Sequence, residues 1–193
     1  MTMPAQKPYQ SKQNYATPEN FMTAIKRKLR ISAFAFDFAA DATNAKAPHW
    51  WDEAQDALAQ SPDTWVAAAA GGWGWLNPPF TTIQPWAKRC QELRYRGGSV
   101  ALLVPASVGA NWFADHVDGD ARILLLNGRL CFIEDWATTI DPATEKPGKG
   151  PARFYNSAPL YPKDCICCLY SPTIKPGYEV WDWRRDIPNE HVA

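Results

Sequence analysis

The residues best suited to chemistry lie in one short string, Asn77-Pro78-Pro79-Phe80, which follows the apolar run Trp73-Gly74-Trp75-Leu76 and precedes Thr81-Thr82. The run reads as a buried strand and the string as its exit. Pro78 and Pro79 carry no amide hydrogen, and each holds the residue before it extended. Asn77 and Pro78 therefore leave the sheet with carbonyls that no neighbouring strand pairs. Phe80 adds an aromatic face beside them. An amide side chain, a free carbonyl and a ring together make a clamp for a planar group bearing an NH2. A strand-ending Pro-Pro turn with a core phenylalanine is the competing explanation of the same residues.

A second group is acidic. Residues 33–38 read as a short buried strand ending in acid, and open α/β sheets bind ligands beyond the carboxyl ends of their strands. Asp37 and Asp41 stand at such an end, after Phe36 and around Phe38. Ala39 and Ala40 between them are small enough for a ligand to approach the backbone, as glycines allow in nucleotide loops. Helix capping and turn formation are the other use of two such aspartates. Asp56, followed by Ala57-Leu58, is open in the same way: its carboxylate can accept hydrogen bonds from a ligand's hydroxyl or amino groups, or it is an exposed helix residue.

The elements that must position these groups follow from periodicity. Pro18 stands where a first-turn proline would, and Phe21, Ile25 and Leu29 give one apolar helix face running to about Arg30. The Lys26-Arg27-Lys28-Arg30 cluster around it is either a solvated face complementing the helix C-terminus or a phosphate contact. Residues 52–59 read as a short helical stretch, and residues 65–70 fit strand or helix. Ile83, Trp86, Cys90 and Leu93 mark a helix with Pro85 in its first turn. Strands are predicted at residues 100–104, 123–126 and 165–170, and a short helix at 111–117. Strands and helices alternate, which predicts an α/β protein with a mostly parallel sheet and helices on both faces. Residues 135–162, rich in Pro, Gly, Thr and Lys, read as a long loop and a candidate target-contacting element.

The 193 residues suit one domain, taken as 14–193 after a flexible, polar segment 1–13 without the apolar core of a signal peptide. No run approaches the roughly 18 apolar residues of a membrane-spanning helix, so a cytoplasmic protein with no membrane partner is expected. Twenty basic and twenty acidic residues cancel. No overall field then draws the chain to nucleic acid, and any such binding must come from local patches. Five cysteines, three of them at Cys165, Cys167 and Cys168 in an apolar stretch, read as buried reduced thiols. Their spacing is wrong for a zinc finger and no His lies near, so no metal is expected.

Asn77-Pro78-Pro79-Phe80 is similar to the Asn/Asp-Pro-Pro-aromatic motif of amino methyltransferases that use S-adenosylmethionine. Three further landmarks accompany it: Tyr15-Ala16-Thr17-Pro18, residues 36–45, and Asn127-Gly128-Arg129-Leu130-Cys131-Phe132. In this order, over about residues 14–185, they resemble the phage-type DNA N6-adenine methyltransferases, the Dam-like enzymes of phages and prophages. The resemblance implies a Rossmann-like S-adenosylmethionine-dependent methyltransferase fold, with double-stranded DNA as partner and the bacterial cytoplasm as location. It further implies methyl transfer to N6 of a flipped-out adenine. Within it, Asn77, Pro78, Pro79 and Phe80 form the catalytic site. The cofactor pocket takes Tyr15, Thr17, Pro18, Asp37, Phe38, Ala39, Asp41 and Asp56. The chain departs from the commoner methyltransferase pattern in having no glycine in the loop after Asp37. RNA adenine and protein glutamine offer the same NH2 geometry and are alternative substrates. A nucleic-acid-binding module that has lost catalysis is the alternative from another class, and the glycine-free loop is what favours it.

Overall fold

The structure is a computed structural model that describes residues 15–135, 149–151 and 163–188. The expected segment 1–13 and most of the expected loop 135–162 lie outside the described residues. In chain order the elements are β1 (Tyr15–Ala16), α1 (Glu19–Leu29), β2 (Phe36–Asp37), α2 (Pro62–Ala69), β3 (Trp73–Leu76), α3 (Gln84–Tyr95) and β4 (Ser99–Pro105). They continue with α4 (Asn111–His116), β5 (Arg122–Leu126), β6 (Ile133–Asp135), β7 (Lys149–Pro151), β8 (Cys165–Tyr170) and β9 (Gly177–Trp181), closed by a 3-10 turn at Trp183–Asp186.

The central sheet has six strands in the order β2-β3-β4-β8-β5-β9. β2/β3, β3/β4 and β5/β9 are parallel, and β8 alone runs against both its neighbours. The expected mostly parallel α/β sheet is what the chain forms. Its central strands are apolar on both faces because both faces are covered. In β4, Val100, Leu102 and Val104 pack with Trp65 of α2, Cys90 and Leu93 of α3 and Phe113 of α4. The alternate residues Ala101 and Leu103 pack on the other side with Phe21 and Ile25 of α1 and with Trp181 and Trp183. β8 repeats the alternation, which buries Cys165, Cys167 and Cys168 as free thiols. Burial pushes the Cys165 thiol up to about 12, so it stays protonated at neutral pH.

Local chemistry resolves two uncertain stretches. Residues 65–69 are helical and Ala70 caps them in the left-handed region, because Ser61 caps the start of α2 by accepting from the Thr64 amide at 3.1 Å and Pro62 opens its first turn. Residues 52–59 do not form the expected helix. Asp52 Oδ1 accepts from the Gln55 amide at 3.0 Å and Gln55 Oε1 from the Asp52 amide at 3.1 Å. Asp56, with φ of 41°, accepts from the amides of Leu58 and Ala59. These side chains satisfy the backbone in consecutive turns, which removes the incentive to wind a helix. Trp65 Nε1 donates to the Ala57 carbonyl at 2.8 Å, and the Arg89 guanidinium of α3 donates to the carbonyls of Leu58 and Gln60, so the turns are pinned to the helices behind them.

A small second sheet, β1-β6-β7, joins the start of the described chain to its later half. β1 pairs antiparallel with β6 through Tyr15 opposite Glu134 and Ala16 opposite Ile133. No helix among the described residues is long and apolar enough to cross a membrane.

Candidate active site

A cleft of about 930 Å³ opens beyond the carboxyl ends of β2 and β3. Phe38 lines it, over Gly74, where the sheet makes room for the ring. A Cβ added there would lie 2.2 Å from Phe38 Cε2. Phe38 is stacked on Trp65 with ring centroids 4.0 Å apart and is fully buried.

Asp37 ends β2 and is held on all sides. Its backbone N–H donates to the His49 carbonyl at 2.9 Å, and its carbonyl accepts from the Trp51 amide at 3.0 Å. Residues 49–51 thus extend the sheet beside β2. The carboxylate turns inward, where Oδ2 accepts from the Lys46 amide at 2.9 Å and Oδ1 from the Ala39 amide at 3.3 Å. Burial pushes its pKa from 3.8 up to about 6, against the lowering effect of the two amides and of the Lys46 charge. Asp41 and Asn44 bond reciprocally: the Asp41 amide donates to Asn44 Oδ1 at 2.8 Å, and Asp41 Oδ1 accepts from the Asn44 and Thr43 amides. Both aspartates hold their own loop in shape, and both still line the cleft.

The other wall is Asn77. Its Nδ2 donates to the Tyr15 carbonyl at 2.8 Å. A carbonyl can only accept, so this contact fixes which end of the amide faces which way. Oδ1 is left buried with no hydrogen-bond partner, and Thr17 Oγ1 is in the same condition. An unpaired buried polar atom costs on the order of 1–3 kcal/mol. Both belong to residues that line the cleft. The cleft wall is acidic, with Asp37, Asp41, Asp52, Glu53 and Asp56 against Lys46, whose ammonium already pairs with Glu19.

The sequence profile of the family described as DNA N-6-adenine-methyltransferase (Dam) matches residues 5–150. The chain belongs to this family. Among solved structures, one described as a predicted O-methyltransferase from Agrobacterium tumefaciens is similar at 13% identity, with a TM-score of 0.38 over 84% of this chain and 86% of that one. No curated protein matches the chain.

Of the Dam-family residues expected from the sequence, Tyr15, Thr17, Asp37, Phe38, Ala39, Asp41, Asp56, Asn77 and Pro79 line the cleft. Pro18, Pro78 and Phe80 do not. Pro18 is the residue before α1, one position earlier than a first-turn proline, and its carbonyl accepts from Met22. Pro78 is buried at the strand exit. Phe80 is half-buried and meets the ring of Phe132 edge to face at 6.0 Å. Cleft residues that sequence reasoning missed include Lys46, Asp52, Glu53, Trp51 and Trp86. The pair Trp50-Trp51 was the available signal, since indoles next to an acidic strand end suit a flat ligand. Lys46 had none, because its backbone amide is what brings it to Asp37.

Proposed function

We propose that this methyltransferase transfers a methyl group from S-adenosylmethionine to N6 of adenine in double-stranded DNA, with the base flipped out to the Asn77-Pro78-Pro79-Phe80 string. The observation that carries the reading is the orientation of Asn77: its amide nitrogen is committed to Tyr15, and its oxygen is a buried acceptor with no partner.

An acceptor held this way suits an NH2 group. The exocyclic amine of adenine is a poor nucleophile because its lone pair is delocalised into the ring. Asn77 Oδ1 and the Pro78 carbonyl can each accept one N6 hydrogen, which turns the lone pair out of conjugation and stabilises the positive charge that develops. No general base is required for this. S-adenosylmethionine supplies a methyl group already activated by its sulfonium, so positioning carries the rate. The acidic cleft fits that donor, whose sulfonium and ammonium outweigh its one carboxylate, and repels phosphate. Thr17 Oγ1, which can donate or accept, is a second ready partner in the same wall. Asp37 and Asp41 shape the wall, and Trp51 and Trp86 offer it flat apolar surface. A base inside a duplex cannot reach such a recess and must leave the stack, at a cost of a few kcal/mol.

A binding module without catalysis draws support from the loop after Asp37, whose carboxylate already takes two amides of its own chain. Calorimetry with S-adenosylmethionine separates the readings, since binding is required by one and not by the other. The deciding experiment is sequencing of plasmid DNA from cells expressing the protein by a method that detects N6-methyladenine. Methylated adenines at a recurrent sequence are expected. A protein that binds S-adenosylmethionine and leaves plasmid adenines unmodified would refute DNA adenine as the substrate, and the RNA and glutamine alternatives would then be assayed.

A further inference from the structure

Phe132 has no place in the site described so far. It is fully buried, ends the segment 127–132, and immediately precedes β6. Among the described residues its ring meets two others. The Tyr15 ring lies 6.5 Å away at an interplanar angle of 43°, and the Phe80 ring lies 6.0 Å away at 72°. Tyr15 is the residue whose carbonyl receives the Asn77 amide, and Phe80 is the last residue of the Asn77 string. A single side chain therefore stands against the residue that orients Asn77 and against the far end of the loop that carries it.

The backbone makes the dependence stronger. β1 is only two residues long and is held by two cross-strand pairs to β6, beginning at Ile133. Strands that short have little stability of their own. The packing of Tyr15 on Phe132, the residue beside Ile133, supports the Tyr15 carbonyl at 2.8 Å from Asn77 Nδ2.

We propose that Phe132 is a positioning residue for the amine-accepting site: its ring braces Tyr15, and through the Tyr15 carbonyl it sets the direction of Asn77 Oδ1, while bracing Phe80 at the other end of the string. The proposal rests on the reading of Asn77 as the acceptor of the target amine. Phe132 touches no substrate in this scheme. Its effect is geometric, and a displacement of 1 Å at a reacting centre can cost about 100-fold in rate.

The test is Phe132→Leu, which keeps an apolar side chain but removes the ring, alone and combined with Asn77→Ala. Single-turnover methylation of a duplex substrate, S-adenosylmethionine affinity, DNA affinity and thermal melts are measured for each. Phe132→Leu is expected to lower the rate about 100-fold while both affinities stay within about two-fold. In the Asn77→Ala background the same substitution is expected to add little further loss, because the group it positions is gone. A residue that merely fills the core would lower the melt and multiply its effect into both backgrounds. Wild-type turnover in Phe132→Leu, or an equal further loss in the Asn77→Ala background, overturns the proposal. Full activity in Asn77→Ala alone instead overturns the reading of Asn77. Should Leu fail to fold at position 132, Phe132→Met, whose flexible side chain fills more of the space, removes the ring instead. It is expected to show the same split between rate and affinity, and its absence there overturns the proposal equally.

Discussion

Replacing Asn77 by alanine should separate activity from stability, because the residue contributes oppositely to the two. In the folded protein its amide makes one hydrogen bond, to the Tyr15 carbonyl at 2.8 Å, of net value about 1 kcal/mol. Its oxygen is buried and unpaired, at a cost on the order of 1–3 kcal/mol. Asn77→Ala removes both, so these two contributions put the stability change between roughly zero and a gain of about 2 kcal/mol. Turnover should behave differently. Losing one preorganised partner of a developing charge typically costs about 100- to 1,000-fold, or roughly 3–4 kcal/mol of transition-state stabilisation. The assay is single-turnover methylation of duplex DNA at saturating S-adenosylmethionine, with melts run in parallel. Asn77→Asp adds a check. It keeps an acceptor for the amine but has no N–H to give Tyr15, so two acceptors face each other and the tether is lost. Its rate should fall between those of Asn and Ala. A folded Asn77→Ala variant within tenfold of wild-type turnover would refute the reasoning, and Asp equal to Asn would refute the part assigned to Tyr15.

The remaining expectations concern Asp37, Gly74 and Phe80. The Asp37 carboxyl is raised from 3.8 to about 6 in the folded protein, so the folded state binds this proton more tightly than the unfolded one. Its effect on stability is neutral below about pH 4, grows unfavourable as pH rises to 6, and is constant above, with a span of about 3 kcal/mol. Asp37→Asn should remove that decline, measured as the difference between wild-type and variant melts from pH 4 to 7; parallel curves would exclude it. Gly74→Ala would place a methyl 2.2 Å from Phe38 Cε2. Overpacking of about 1–3 kcal/mol should then lower the melt by several degrees and weaken S-adenosylmethionine binding through the cleft-lining ring, whereas an unchanged melt would show that Phe38 can yield. Phe80→Tyr and Phe80→Trp should keep substantial activity if the ring stacks on a flipped base, and Phe80→Leu should lose it; Leu more active than Trp at equal stability would sink that role.

What was legible in the sequence was whatever a single residue type enforces locally. The exit of β3 is written in two prolines that cannot join a ladder, whereas residues 65–70 fit strand or helix alike and only the Ser61-Pro62 cap decides for α2. That both faces of the sheet are covered follows from β4, apolar from Val100 to Val104, and from β8, apolar throughout. Those same strands conceal their neighbours, because a segment buried on both sides carries no pattern to distinguish one partner from another. The insertion of β8 between β4 and β5 could not be read for that reason. β1 was missed because two residues have no periodicity, and its partner, Ile133–Glu134, lies across most of the chain. The turns at residues 52–59 were misread because Asp and Gln side chains there bond backbone amides instead of facing solvent. Within the site, the types Asn77, Asp37 and Thr17 were legible. The fact that Asn77 points its oxygen inward was not, since it depends on a carbonyl contributed by Tyr15.

The place of β8 has a consequence for how the protein is made. β4 and β5 share no ladder with each other; each pairs with β8, which leaves the ribosome after both of them. Between Leu126 and Cys165 lie about 40 residues, which at roughly 5–20 residues per second is several seconds of synthesis. Through that interval β4 awaits a partner on one edge and β5 on both, since β9 also follows, and each such edge is a template for another nascent chain. The central ladder is also the most sequence-distant contact of the sheet, so it closes late in refolding too. Yield in the cell should therefore be limited by the emergence of residues 165–170, and a host chaperone that shields strand edges should raise it more than any change within the cleft.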